Sequence, residues 1–256
     1  FLQVGAECIG EKSYLADVEM LDLAYQALIT VGIKNISIDL SSLQFLNFLL
    51  KEIKQKTIRD KLISFIKRKD FTNCMKYLDK SLHEYANYLL SCTGNLDEKK
   101  EILNKLSIDN NTRIATDELL AIYSKFNSKY PDVNFFLDLT ENNYLDYHTG
   151  TRFTFYAKNV RGEVARGGRY TLKESSQSES STGFTCYMDT ILRASSFKQI
   201  KKKIMIGFKL NKIKKKQLIK KGYVIITHFG DTKNIKKKAK EQNCQFYLIN
   251  NNIKSL

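Results

Sequence analysis

Apolar residues in this chain recur with two periods, and the switches between them mark out its elements. Over residues 15–31, Val18, Leu21, Tyr25 and Leu28 keep the spacing of one helical face, with Asp17 and Glu19 in the first turn and Gly32 as a stop. Ile36, Ile38 and Leu40 then alternate with Ser37 and Asp39, which predicts a strand. A second helix is expected over about 42–55, where Leu43, Leu46, Phe48, Leu49 and Leu50 make a broad apolar face. Residues 56–130 read as almost wholly helical, with breaks near 69–70, 94–95 and 109–111.

Period two returns after that. Residues 133–139 form an apolar strand, and 151–157 are expected to pair with 163–167 through a turn at 159–162. Phe153 and Phe155 would face one side of that hairpin, and Arg152, Thr154 and Tyr156 the other. The serine-rich stretch 173–182 reads as a mobile surface loop, and 183–192 as a strand running into a helix. Beyond residue 196 three apolar runs (204–208, 223–227 and 246–250) alternate with lysine-rich helical stretches near 210–221 and 232–242. That order predicts a small parallel sheet with right-handed crossovers. The expected organisation is thus α+β: a core over 1–195 with a helical insertion at 56–130, and a small basic α/β domain over 196–256.

Charge sharpens the division. Residues 196–256 hold 17 lysines against Asp231 and Glu241, a net +15 that equals the charge of the whole 256-residue chain. The preceding residues are neutral. Segregated charge of this kind marks polyanion binding. However, the aromatics are expected inside the strands rather than exposed among the lysines, so a solvated, compositionally biased surface is favoured over nucleic acid. An acidic protein partner also fits. The five cysteines are dispersed with no C-x-x-C pair, and the three histidines are isolated, so neither a disulfide framework nor a metal site is expected. No apolar run reaches the roughly 18 residues of a membrane span and no secretory signal is visible, which points to the cytoplasm.

Four short motifs carry the candidate chemistry. They are Gln3-Val4-Gly5-Ala6-Glu7, Leu145-Asp146-Tyr147-His148-Thr149-Gly150, Gly167-Gly168-Arg169-Tyr170 and Gly183-Phe184. Gln3 and Glu7 stand four apart in an expected strand, so both side chains share a face. In this order the motifs resemble those of histidyl-tRNA synthetases. The resemblance implies a class II synthetase-like antiparallel sheet, with a histidine-like pocket formed by Gln3, Glu7, Tyr147, His148 and Arg169. Against the family pattern the chain opens inside the second class-defining motif, so the family's N-terminal part is expected to lie outside it.

Two departures bear on activity. The family has an arginine three places before the Asp-Tyr pair and another after the closing Gly-Phe, where it holds ATP phosphates. Here Asn143 and Thr190 stand at those positions. Neither carries a charge or a bidentate fork. Losing one preorganised donor of this kind typically costs about 10² to 10³ in rate. The pattern of loss resembles the regulatory subunits of ATP phosphoribosyltransferase, synthetase-like proteins of histidine biosynthesis. That resemblance implies a non-catalytic protein without cofactors, a homodimer within a hetero-oligomer containing the catalytic subunit, and free histidine as a ligand. The alternatives are a divergent histidyl-tRNA synthetase and an RNA-binding paralogue.

Overall fold

The computed structural model describes residues 2–141, 148–174, 177–195 and 202–256. Contacts divide the chain into two units, Phe1–Phe197 and Lys198–Leu256.

The larger unit begins with strand β1 (Gln3–Ile9) and helix α1 (Tyr14–Thr30). The Ser13 hydroxyl caps α1 by accepting from the Leu15 N–H, and Gly32 ends it in a left-handed turn at φ 78°. Leu21 and Leu28 are fully buried on the predicted face, while Val18 and Tyr25 pack at its margin. Strand β2 (Ile36–Ser42) follows, then helix α2 (Leu43–Lys51) capped by Ser42. The stretch 56–129 comprises α3 (Lys56–Lys67), α4 (Phe71–Lys76), α5 (His83–Ser91), a short strand β3 (Thr93–Asn95), α6 (Leu96–Lys105) and α7 (Asn110–Lys129). The breaks fall as expected, but 93–95 adds an antiparallel edge to the main sheet rather than a simple turn.

Strands β4 (Asn134–Asp138), β5 (His148–Ala157), β6 (Glu163–Glu174) and β7 (Gln177–Tyr187) complete the sheet, and α8 (Met188–Ala194) closes the unit. The seven strands lie in the order β1-β7-β6-β5-β2-β4-β3, antiparallel except for the β2–β4 pair. Helices α1, α2 and α7 pack on the sheet, and one continuous core joins them to it. The central strands β2 and β5 bring Ile38, Leu40, Phe153 and Phe155 to this core, each 1% exposed or less. Arg152 and Thr154, on the other side of β5, are buried as well, so the sheet is covered on both faces there.

The serine-rich stretch corrects the sequence reading. Residues 173–174 and 177–182 are strand rather than loop, the far part of a β6–β7 ladder that runs from Ala165↔Cys186 out to Glu174↔Gln177, while 175–176 lie outside the described residues. Ser181 and Thr182 are fully buried. Serine carries no strong strand signal, but a partner strand that satisfies its backbone groups holds it extended all the same.

In the smaller unit, β8 (Lys202–Gly207), β9 (Tyr223–His228) and β10 (Phe246–Ile249) are parallel, with β8 in the middle. A fourth strand, β11 (Asn252–Ser255), returns antiparallel to β10 and was not legible in its polar sequence. Helix α9 (Lys212–Lys220) covers one face, placing Leu218 on Ile204 and Ile206. Helix α10 (Ile235–Glu241) covers the other, placing Ile235 and Ala239 on Met205. A second correction concerns the aromatics. Phe208, read as the last residue of a strand, lies just past the end of β8 and is 60% exposed, and Phe229, outside the expected strand 223–227, lies just past the end of β9 and is 76% exposed, so both stand open beside the lysines.

Among the described residues, no helix is long and apolar enough to cross a membrane.

Candidate functional site

Strand alternation assigns each candidate to one side of the sheet. On β1, Gln3, Gly5 and Glu7 share a side; register continues it to Tyr187, Thr185 and Gly183 on β7, and to Arg166, Gly168 and Tyr170 on β6. The next strand contributes His148 opposite Tyr170 and Arg152 opposite Gly168. Gln3, Glu7 and His148 thus line a single pocket of about 370 Å³ together with Arg166, Tyr170 and Tyr187.

Two glycines make the room. Glu7, Gly183 and Gly168 stand side by side on β1, β7 and β6. A Cβ at Gly183 would lie 1.9 Å from the Glu7 Oε2 and 2.6 Å from the Ala6 carbonyl. At Gly168 it would meet the Thr151 carbonyl at 2.7 Å and the His148 ring at 3.0 Å. With both side chains absent, the Glu7 carboxylate folds over β7 and accepts a hydrogen bond from the Tyr170 hydroxyl at 2.9 Å.

The pocket also holds a guanidinium, flanked by two acids. The Arg166 guanidinium lies 3.2 Å from the Glu163 carboxylate and 3.9 Å from that of Glu141. Burial pushes the Glu163 carboxyl and the Tyr187 phenol above their ordinary values, with Arg166 opposing the shift in both. One pocket therefore presents an acid from β1 and a guanidinium from β6, a pairing suited to a small zwitterion. Arg166 and Tyr187 were not picked out from sequence, and Tyr170 stood in a motif without being assigned to the pocket. The signal that finds them is alternation outward from Gly168 and Gly183.

Arg169 is a correction. It points to the other side of β6 from Tyr170, where α1 packs, because adjacent strand residues face opposite ways. Its Nε and Nη2 lie 2.9 and 2.8 Å from Asp17 Oδ2, Nη2 also donates to the Ser13 carbonyl, and Nη1 donates to the Glu11 carbonyl and the Ser180 hydroxyl. A bulge accommodates it: between His148 and Arg152 three residues of β5 oppose Arg169 alone. Gly150, in that bulge, leaves space for the arginine's stem, since a Cβ there would sit 3.1 Å from it. Arg169 is a structural residue tying β6 to the β1–α1 connection. Tyr147 and Asn143 lie outside the described residues.

Thr190, in the phosphate-arginine position, is buried on α8, and its hydroxyl accepts from Arg193 Nη2 at 3.1 Å. Arg193 is itself more than half exposed and lies 3.7 Å from Asp189. Arg152 donates to the Glu141 carbonyl at 2.9 Å. Among the described residues, no cluster of histidine, cysteine or carboxylate groups is arranged to hold a metal ion.

Comparison with known proteins matches residues 1–191 to the family model of histidyl-tRNA synthetase. The chain is 30% identical over 201 residues to the ATP phosphoribosyltransferase regulatory subunit of Rhodospirillum centenum, a match covering 76% of this chain and 50% of that relative. It thus spans half the relative's length. Among solved structures, an ATP phosphoribosyltransferase regulatory subunit/histidyl-tRNA synthetase from Bacillus halodurans superposes with a TM-score of 0.72 at 20% identity, over 96% of this chain and 67% of that one. A chain of the ATP phosphoribosyltransferase complex from Thermotoga maritima does so with a TM-score of 0.59 at 22% identity, over 72% of this chain and 65% of that one. These likenesses establish the class II synthetase-like α+β fold.

Proposed function

We propose that this chain, which belongs to the histidyl-tRNA synthetase family, serves as a non-catalytic regulatory subunit of ATP phosphoribosyltransferase in histidine biosynthesis. In this reading it works in the cytoplasm, associates with the catalytic subunit and binds free histidine between Glu7 and Arg166. The observation that carries the non-catalytic part is Thr190. Where the family keeps a phosphate-holding arginine, this chain buries an uncharged hydroxyl. The regulatory-subunit name of its relatives supports the association with the catalytic subunit.

Regulation follows from linkage. A ligand that binds one arrangement of the assembly more tightly shifts the population toward it, by no more than the difference in its two affinities. Histidine held by Glu7 and Arg166 would bridge β1 and β6, so any motion that separates those strands would be opposed by the ligand.

Three measurements test this. Calorimetric titration with histidine should give saturable binding that Glu7→Gln weakens at least tenfold. The chain should co-purify with the short catalytic subunit and change its activity. Histidine-dependent exchange of pyrophosphate into ATP should be silent, and a measurable exchange rate would overturn the non-catalytic reading in favour of a divergent synthetase.

A further inference from the structure

The unit Lys198–Leu256 carries a feature that the regulatory reading does not use. Its three parallel strands end together, and the loops leaving the neighbouring strands β8 and β9 part to opposite faces, because α9 packs on one face and α10 on the other. Where loops diverge in this way, a crevice opens beyond the carboxyl ends of the strands, and sheets of this architecture bind their ligands there. Here the crevice has a volume of about 490 Å³ and is bordered by Gly207, Phe208, Lys209, Phe229, Asp231 and Asn250. That volume falls within the range of small-ligand sites.

Its walls have a specific chemistry. The rings of Phe208 and Phe229 lie 5.1 Å apart at 38°, and both are largely exposed. A pair of open aromatic faces is poorly served by water and well served by another flat ring. The Lys215 ammonium sits 6.0 Å from the Phe208 ring centre, and Lys209 borders the crevice itself. The whole unit carries a net +15, which favours an anion. Asp231 stands three residues past the end of β9, and its Oδ1 accepts from the Lys233 N–H at 3.0 Å. A carboxylate has a second oxygen that can accept from a hydroxyl, as an acid near the end of a second parallel strand does for a ribose.

We propose that this crevice binds a mononucleotide, with the base stacked on Phe208 and Phe229, the ribose at Asp231 and the phosphate drawn by Lys209 and the lysine-rich surround. A flat ring, a diol and an anion are the three things its walls offer to hold. One ring pair in one crevice fits a single base; a nucleic-acid track needs successive platforms along a groove.

The test uses the full chain. Titration with AMP should saturate, and Phe229→Ala should weaken binding roughly tenfold or more, the usual cost of losing a base–aromatic stack. Because Phe229 is 76% exposed, its removal leaves the cores on both faces of the sheet in place, and an unchanged far-ultraviolet dichroism spectrum would verify this. Lys209→Gln should weaken AMP several-fold and flatten the salt dependence of binding. Inorganic phosphate should compete poorly. The proposal is overturned if AMP fails to saturate at millimolar concentration, if Phe229→Ala binds as well as the parent, or if phosphate competes as well as AMP. Binding of a single-stranded oligonucleotide without binding of AMP would also overturn it, in favour of a strand-binding face.

Discussion

Tyr170 and Glu7 meet across a strand that belongs to neither of them. The Tyr170 hydroxyl donates to the Glu7 carboxylate at 2.9 Å, so β6 and β1 are joined over β7, at the place where Gly183 offers no side chain. The acid of the proposed histidine pocket is thereby aimed by two neighbours, a phenol that holds it and a glycine that makes way for it.

Gly183→Ala is expected to abolish histidine binding. The new methyl would overlap the Glu7 carboxylate and approach the Ala6 carbonyl, so Glu7 must leave and β1 must shift. Tyr170→Phe, which removes only the hydroxyl, should weaken binding by a few-fold, since the carboxylate is solvent-accessible and keeps water as a substitute partner. Calorimetry on both variants checks the order. Equal losses would mean that the hydroxyl matters as much as the space.

Arg169→Ala should be among the most destabilising single changes in the larger unit. It strips Asp17 of its ion partner where the two side chains are 2% and 8% exposed, and removing one member of such a pair costs about 3–5 kcal/mol. Urea denaturation should show the midpoint falling accordingly. Loss of histidine affinity without loss of stability would instead assign Arg169 to the pocket.

Asp39 supplies a pH dependence of unusual sign. Burial, followed by the nearby carboxylates of Glu141 and Asp138, pushes its carboxyl up to about 6. Well below its ordinary value of 3.8 the group is protonated in both the folded and the unfolded chain and costs nothing. As pH rises toward 6 the unfolded chain releases its proton first, so the folded state holds more protons and loses stability. Asp39→Asn should therefore stabilise the protein at pH 7 by about 1–2 kcal/mol, after allowance for partial solvent screening. The gain should fade as pH falls toward 4. Paired urea titrations at pH 4 and pH 7 decide it, and a loss of stability at pH 7 would reveal a use for the charge.

Asp109→Ala should cost about 1–2 kcal/mol through the start of α7. The Asp109 carboxylate accepts from the Thr112 N–H at 2.9 Å while the Thr112 hydroxyl accepts from the Asp109 N–H at 3.0 Å, a reciprocal cap for the longest helix. Asp109→Asn should recover most of the loss, since the amide oxygen still caps. Thermal melts of the two variants separate the cap from the surface ion pair with Lys51.

The sequence made elements legible where one face was apolar and the other polar. Helices α1 and α2 and strands β2, β4 and β5 follow directly from such patterns. The paired residues 173–174 and 177–182 did not, because serine and threonine carry no face preference and the partner strand alone holds them extended. Strand β11 failed for the same reason, reading only as Asn252, Ile253, Lys254 and Ser255. At the pocket, a spacing of four put Gln3 and Glu7 on one side of β1. The same alternation, applied within Gly167-Gly168-Arg169-Tyr170, would have sent Arg169 toward α1 and Tyr170 toward Glu7. Motif resemblance assigned Arg169 to the pocket, whereas the pleat turns it away and presents Tyr170 there instead. Phe208 was missed because it sits one residue beyond β8, where the apolar run of the strand still continues.

The confinement of all net charge to Lys198–Leu256 has a practical consequence for handling the protein. At neutral pH a sulfonate resin will grip the molecule by one unit alone, and a protease cut near residue 198 will release an electrically balanced body that passes straight through the column.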